Sequence, residues 1–105
     1  FIEDYFTVGS GWSLVDGYAY RQGNIMSLMV IIRPDATASG SGVLLLQKNV
    51  DVQGVFIPKK KVIMSNEAPS VMSSVTLFPV SGNITANLAS APVRDYTIFA
   101  TYIVN

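Results

Sequence analysis

The sequence predicts an all-β protein: an antiparallel β-sandwich or jelly roll, with a small barrel as the neighbouring solution. Three observations point there. Runs of β-branched and aromatic residues recur along the chain. Clusters of Gly, Pro, Ser, Asn and Asp separate them at short intervals. No segment keeps a helical period for three turns.

Taken in order, the runs place strands at 5–8, 12–15, 18–21, 25–33, 43–48, 52–57, 61–65, 74–80, 84–88 and 96–104. Asp16-Gly17 and Gly23-Asn24 are two-residue steps suited to hairpins, and Ser81-Gly82-Asn83 closes another turn. The run 43–50 also admits a helix, since Leu44, Leu45, Leu46 and Lys48 are good helix formers. Gly40-Ser41-Gly42 before it and Asp51 after it leave room for only two turns. Three loops remain. They are Pro34 to Gly42, small and polar; Asn66 to Ser70, carrying Glu67; and Ala89 to Pro92, leading into Arg94 and Asp95. Loops on a rigid β scaffold are where binding residues usually sit.

Two strands lack the apolar–polar alternation of a half-exposed sheet. In the first, Ile25, Ser27, Met29 and Ile31 share one face and Met26, Leu28, Val30 and Ile32 the other. In the last, Thr97, Phe99, Thr101 and Ile103 oppose Tyr96, Ile98, Ala100, Tyr102 and Val104. Only inner faces can meet the domain's own core. The outer apolar faces are therefore expected to meet a partner subunit, as the core-like interfaces of obligate oligomers do, or else to lie under long loops.

The chain has 105 residues, which fits one domain spanning 1–105 and no second core. A chain of this size buries roughly 65% of its unfolded surface, enough for a core without cross-links. Seven Lys and Arg balance seven Asp and Glu, and neither His nor Cys is present. That excludes a Ser-His-Asp triad, a cysteine nucleophile, a thiolate or imidazole zinc site and disulfides. The neutral balance also argues against a nucleic-acid binder. The longest nearly apolar run, Ile25 to Ile32, is far short of the roughly 20 residues a membrane helix needs. Signal-peptide and lipidation patterns are missing, and the first residue is Phe1, so the expectation is a C-terminal piece of a longer chain.

Paired carboxylates are the one catalytic apparatus this composition allows, and glycosidases hold theirs about 5 to 10 Å apart. Glu3, Asp4, Asp16, Asp35, Asp51, Glu67 and Asp95 are scattered, mostly in turns where Asp serves the backbone, so no catalytic residue is assigned. Lys59-Lys60-Lys61 could meet an anionic polymer or simply protect a strand edge. Trp12 either packs in the core or stacks on a sugar. Tyr18 and Tyr20 share a strand face opposite Arg21 and form a candidate saccharide platform. Arg94, Asp95 and Tyr96 open the last strand with three hydrogen-bonding groups, which could equally hold an internal ion pair. With Asn66 and Glu67 these complete the candidate binding residues. No cofactor is implied. Neither Gly9-Ser10-Gly11 nor Gly40-Ser41-Gly42 has phosphate-loop spacing, and Asn83-Ile84-Thr85 is a chance-level glycosylation sequon. A calcium site of Asp and backbone oxygens stays open without EF-hand spacing.

The order of features resembles one family. Gly11-Trp12 is followed by Tyr20-Arg21-Gln22-Gly23-Asn24-Ile25 entering a long apolar strand. Then come a small-residue loop, Ile57-Pro58, a Ser81-Gly82-Asn83-Ile84 turn and an aromatic-rich last strand. From Gly11 to Asn105 this resembles the C-terminal head domains of trimeric receptor-binding and tail-fibre proteins of phages infecting Gram-positive bacteria. The resemblance implies a sandwich or jelly-roll head at the virion's tail tip or baseplate, outside the cell and assembled as a homotrimer. It implies recognition of bacterial cell-wall or surface polysaccharide without cleavage, and attachment to other phage tail or baseplate proteins through a missing N-terminal part. No nucleic acid or membrane insertion is implied, and no binding motif transfers residue by residue. The alternatives are a structural baseplate or fibre accessory that trimerises or caps without binding sugar, and a carbohydrate-active enzyme. An exposed Tyr/Trp patch favours the binding head; Trp12 and Tyr20 both in the core favour the accessory; two facing carboxylates favour the enzyme.

Overall fold

The computed structural model describes residues 2–49 and 57–104. Among these residues a 3-10 turn at Ile2–Asp4 is followed by nine strands. They are β1 Phe6–Val8, β2 Trp12–Gln22, β3 Ile25–Pro34, β4 Ala38–Lys48, β5 Val62–Ile63, β6 Ser65–Asn66, β7 Met72–Leu77, β8 Ile84–Ala91 and β9 Tyr96–Ile103. They form two antiparallel sheets, one ordered β1-β4-β8-β7-β5 and the other β2-β3-β9-β6. The two sheets share one core. Leu45, Leu46, Met72, Leu77 and Ile84 come from the first sheet; Leu28, Val30, Ile32, Tyr96 and Ile98 come from the second.

The apolar alternation of β3 and β9 fixes which face turns inward. Met26, Leu28, Val30 and Ile32 are buried and stand opposite Tyr102, Ala100, Ile98 and Tyr96. Tyr96 is anchored further by its hydroxyl, which donates to the carbonyl of Pro92 at 2.9 Å. That return bond resembles the tyrosine corner of other two-sheet proteins. Gly23 closes the β2–β3 hairpin at φ 62, the left-handed position a type II′ turn demands at its first central residue.

Several expectations are corrected. Asp16-Gly17 is no hairpin. Segments 12–15 and 18–21 belong to one strand, β2, which pairs with β3 along its whole length and carries an irregularity between Leu14 and Asp16. A ten-residue apolar neighbour offers both segments a ladder, which beats pairing four residues with four. The strand expected at 43–48 is present, and its helical alternative is not, because β1 and β8 both pair with β4. Residues 38–42, expected in a loop, begin β4, where the Asn87 side chain of β8 accepts from Gly42 N–H at 2.8 Å and from the Ser41 hydroxyl at 3.3 Å. Ala89–Ala91 likewise extend β8 rather than form a loop. Segment 61–65 is divided: Met64 is buried and donates to Val75 O at 2.7 Å, so that β5 joins one sheet and β6 the other. Strand β7 ends at Leu77, and residues 78–80 enter the turn, where Gly82 N–H meets Phe78 O at 3.0 Å. Of the strand expected at 52–57, residues 52–56 lie outside the described residues and Ile57 is not strand.

Candidate functional site

The outer face of the β2-β3-β9-β6 sheet gathers the groups of interest. The irregularity in β2 decides its composition. Without it, Trp12, Leu14, Tyr18 and Tyr20 would share a face, since side chains alternate with a period of two. One extra residue at Val15 inverts the second half of the strand. Trp12 therefore points inward, only 6% exposed, and Gly17 and Ala19 turn toward Val30 and Leu28. Tyr18 and Tyr20 turn outward, 51% and 60% exposed.

Register then builds the face in rows. Tyr18 stands beside Met29, which stands beside Phe99, which stands beside Ser65. In the next row Tyr20 adjoins Ser27, and the Ser27 and Thr101 hydroxyls lie 3.3 Å apart. Ile25 and Ile103 pair at one end, and Phe99 and Ile103 remain 46% and 54% exposed. At the opposite end Arg33 Nε meets Asp95 Oδ1 at 3.0 Å, and Glu67 Oε1 accepts from Thr97 N–H at 3.0 Å. The middle of the face thus alternates aromatic rings with hydroxyls, and its charges sit at the rim.

The nine candidate residues separate by role. Tyr18 and Tyr20 lie on the open face. Trp12 and Tyr96 are core residues and offer no ring to a ligand. Asn66 is a loop staple: its amide nitrogen donates to Met72 O at 3.2 Å and its oxygen accepts from Ala68 N–H at 2.9 Å. Arg21 Nε donates to Gly23 O at 2.8 Å and holds the β2–β3 turn. Asp95 does form an ion pair, though with Arg33 and not with the adjacent Arg94. The Arg94 guanidinium lies over the Tyr96 ring, 5.2 Å from its centre. Glu67, Asp95 and Arg33 share the far rim, away from Arg21 at the turn.

Two features carry little signal in the sequence. The Ser27–Thr101 hydroxyl pair sits among the tyrosines and was legible only as the polar interruptions of β3 and β9. Lys59, Lys60 and Lys61 line an open cavity of about 520 Å³ together with Pro58, Val62 and the Thr101–Ile103 end of β9. Among the described residues no group of three His, Cys, Asp or Glu could hold a metal ion. No helix among them is long and apolar enough to cross a membrane. The carboxylates have local work: Asp16 accepts from Gly17 N–H at 2.8 Å and Asp35 from the Ser13 hydroxyl at 2.9 Å.

Compared with protein-family models, with curated proteins and with solved structures, the chain gives no significant match.

Proposed function

We propose that this chain is a non-catalytic receptor-binding head of the phage tail-fibre kind, a β-sandwich acting outside the cell on the virion. Its ligand is a bacterial surface saccharide, laid across the outer face of the β2-β3-β9-β6 sheet. The observation that carries this reading is the set of exposed rings of Tyr18, Tyr20 and Phe99, interleaved with the Ser27 and Thr101 hydroxyls. Rings pack against the apolar faces of sugar rings, and hydroxyls exchange hydrogen bonds with sugar hydroxyls. Copies joined in a homo-oligomer raise the strength of a weak single site by avidity. The burial of Trp12 counts against the reading, and the exposure of Tyr20 counts for it.

Cell-wall polysaccharide from candidate Gram-positive hosts, titrated against the wild-type chain and against Tyr18→Ala and Tyr20→Ala, tests this. Each substitution is expected to weaken binding by about tenfold, roughly 1.4 kcal/mol, with little change in melting temperature. Glycan binding that is absent, or untouched by both substitutions, refutes it. A second reading is favoured by Ile25, Met29, Ile31 and Ile103, which offer a sugar no polar group. In it the face is a subunit contact of a fibre or baseplate accessory, and Phe99→Ala or Ile31→Ala then lowers the mass in solution.

A further inference from the structure

Among the described residues the four sheet edges are unequal. Strands β1, β5 and β6 end their sheets with 3, 2 and 2 residues, whereas β2 ends its sheet with 11. Short edge strands are a common protection against pairing with other chains, and β2 lacks it. The 3-10 turn at Ile2–Asp4 packs beside β2, yet no backbone hydrogen bond joins them among the described residues.

The direction of the backbone groups along β2 follows from its hairpin. The two-residue turn makes Gln22 and Ile25 a hydrogen-bonded pair, so Tyr20, Tyr18 and Asp16 also direct their N–H and C=O groups at β3. Arg21, Ala19 and Gly17 turn theirs away from β3. Gly17 bears this out: its N–H is met by the Asp16 carboxylate at 2.8 Å and not by a β3 carbonyl.

We propose that β2 pairs antiparallel with β2 of a second copy, about a two-fold axis through Ala19, making one continuous sheet across two chains. This axis is the one at which like residues fit. Ala19 meets Ala19 in a hydrogen-bonded pair. Tyr18 of each copy stands opposite Tyr20 of the other in the non-hydrogen-bonded pairs, where Cα atoms lie about 4.5 Å apart and side chains pack closest. Asp16 falls opposite Gln22, so no like charges face each other. Arg21 falls opposite Gly17, which presents no side chain and whose N–H exchanges the Asp16 carboxylate for the Arg21 carbonyl of the second copy. The β2 irregularity at Val15 ends the regular stretch and sets the length of the joint.

The contact is isologous and closes on itself, so it gives a dimer and not a filament. It is a two-fold arrangement where the resemblance implies a three-fold one. The contact stands on edge geometry alone; its consequence rests on the saccharide reading. The outer faces of two copies merge, with four tyrosines along the seam, so that one saccharide chain spans both.

Sedimentation velocity over a range of concentrations tests the contact on the whole chain. The wild type is expected to pass from one-chain to two-chain mass as concentration rises. Ala19→Pro removes an N–H that the proposal turns to the open edge, a place where a strand tolerates proline, and should hold the one-chain mass with an unchanged circular dichroism spectrum. A second pair of variants guards against misfolding of that one. Tyr18→Lys with Tyr20→Lys, and Tyr18→Glu with Tyr20→Glu, change only exposed side chains and should each be monomeric alone, yet form two-chain mass when mixed. A wild type monomeric at all concentrations overturns the proposal. So does a three-chain mass that survives Ala19→Pro, or a Lys/Glu mixture that stays monomeric. Mass is blind to saccharide, so failure here leaves the binding test standing, and failure there leaves this one.

Discussion

Deleting Ala19 should do far more harm than deleting Val15. Val15 is the extra residue of β2: Leu14 stands opposite Ile32 and Asp16 opposite Ile31, which are consecutive in β3. Its removal joins the two stretches into one regular ladder, with Trp12 still inward and Tyr18 and Tyr20 still outward. Val15 is about half exposed, so its deletion should cost within about 1 kcal/mol. Ala19 is a member of the ladder, opposite Leu28, and its deletion acts through register. If the stretch before it keeps its partners, Tyr20 falls opposite Leu28 and turns inward. If the stretch after it keeps its partners, Val15 is taken into the ladder, Tyr18 falls opposite Leu28 and Asp16 opposite Val30. Either branch drives a tyrosine into the space now filled by a methyl group, against the buried Leu28. Overpacking of that kind costs about 1–3 kcal/mol, and the second branch adds the burial of a carboxylate. That is a large share of the roughly 5–15 kcal/mol that holds a domain together. The melting temperature should fall by about 5–20 °C when Ala19 is deleted, against a few degrees when Val15 is. Trp12 is the sole tryptophan, and its emission should stay at the wild-type wavelength when Val15 is deleted, because its partner on β3 is unchanged. A Val15 deletion that melts more than about 10 °C below wild type, with red-shifted emission, would refute the assignment of the two faces to this one extra residue.

Two further outcomes follow from the packing. A Cβ at Gly9 would stand 2.2 Å from Leu44 O, so Gly9→Ala must push apart the segments joined by the Gly9 N–H to Leu45 O bond of 2.8 Å. The expected loss is about 2–4 kcal/mol in a urea titration, from overpacking and a weakened hydrogen bond together, and a loss under 1 kcal/mol contradicts the crowding. Tyr96→Phe removes only the hydroxyl bonded to Pro92 O and should cost about 1 kcal/mol, because the exposed Pro92 region lets water take over the carbonyl. A cost near zero in the same titration would deny the corner any stabilising part.

How legible the fold was depended on whether one residue's neighbours in sequence decided its structure. In β3 and β9 they did, because two largely apolar faces in a run dominated by aliphatic, β-branched and aromatic residues leave few alternatives. Both the inward set from Met26 to Ile32 and the outward set from Ile25 to Ile31 emerged as read. At Asp16-Gly17 the local signal was a real turn preference, and it was overruled by the length of β3, a fact about another part of the chain. The carboxylate that would have favoured a tight turn caps Gly17 N–H on the open edge instead. Residues 38–42 mislead for a related reason. Ala, Ser and Gly have no wish to be strand, and the segment is held by the side chain of Asn87, distant in sequence. At 61–65 a single strand was visible, whereas the switch between sheets at Met64 depends on where the core lies.

The candidate site was half legible for the same reasons. Tyr18 and Tyr20 were recognisable as a pair, but their separation from Trp12 depends on one residue in register that no local pattern announces. Polar groups near strand starts looked like a site because polar groups serve ligands and folds alike. Asn66, Arg21 and Asp95 spend theirs on the fold, binding Met72 O and Ala68 N–H, Gly23 O, and Arg33 respectively.

The low charge content, 13% of the chain, now has a spatial cause. Strands β3 and β9 are apolar on both faces, and only one face of each is consumed by the core. Charges are placed at the rims, as Arg33 with Asp95 and as the lysines beside Ile103, and they leave the middle of the outer face to rings, methyl groups and hydroxyls. A protein that merely needed solubility would put Lys or Glu at Met29, Phe99 and Thr101, at little cost to packing, because the fully buried residues are their neighbours Leu28, Ile98 and Tyr102. Period-two alternation therefore separates the two functions of each strand. Changes at 28, 98 or 102 act on stability first, and changes at 29, 99 or 101 should leave folding intact and act on what the face meets.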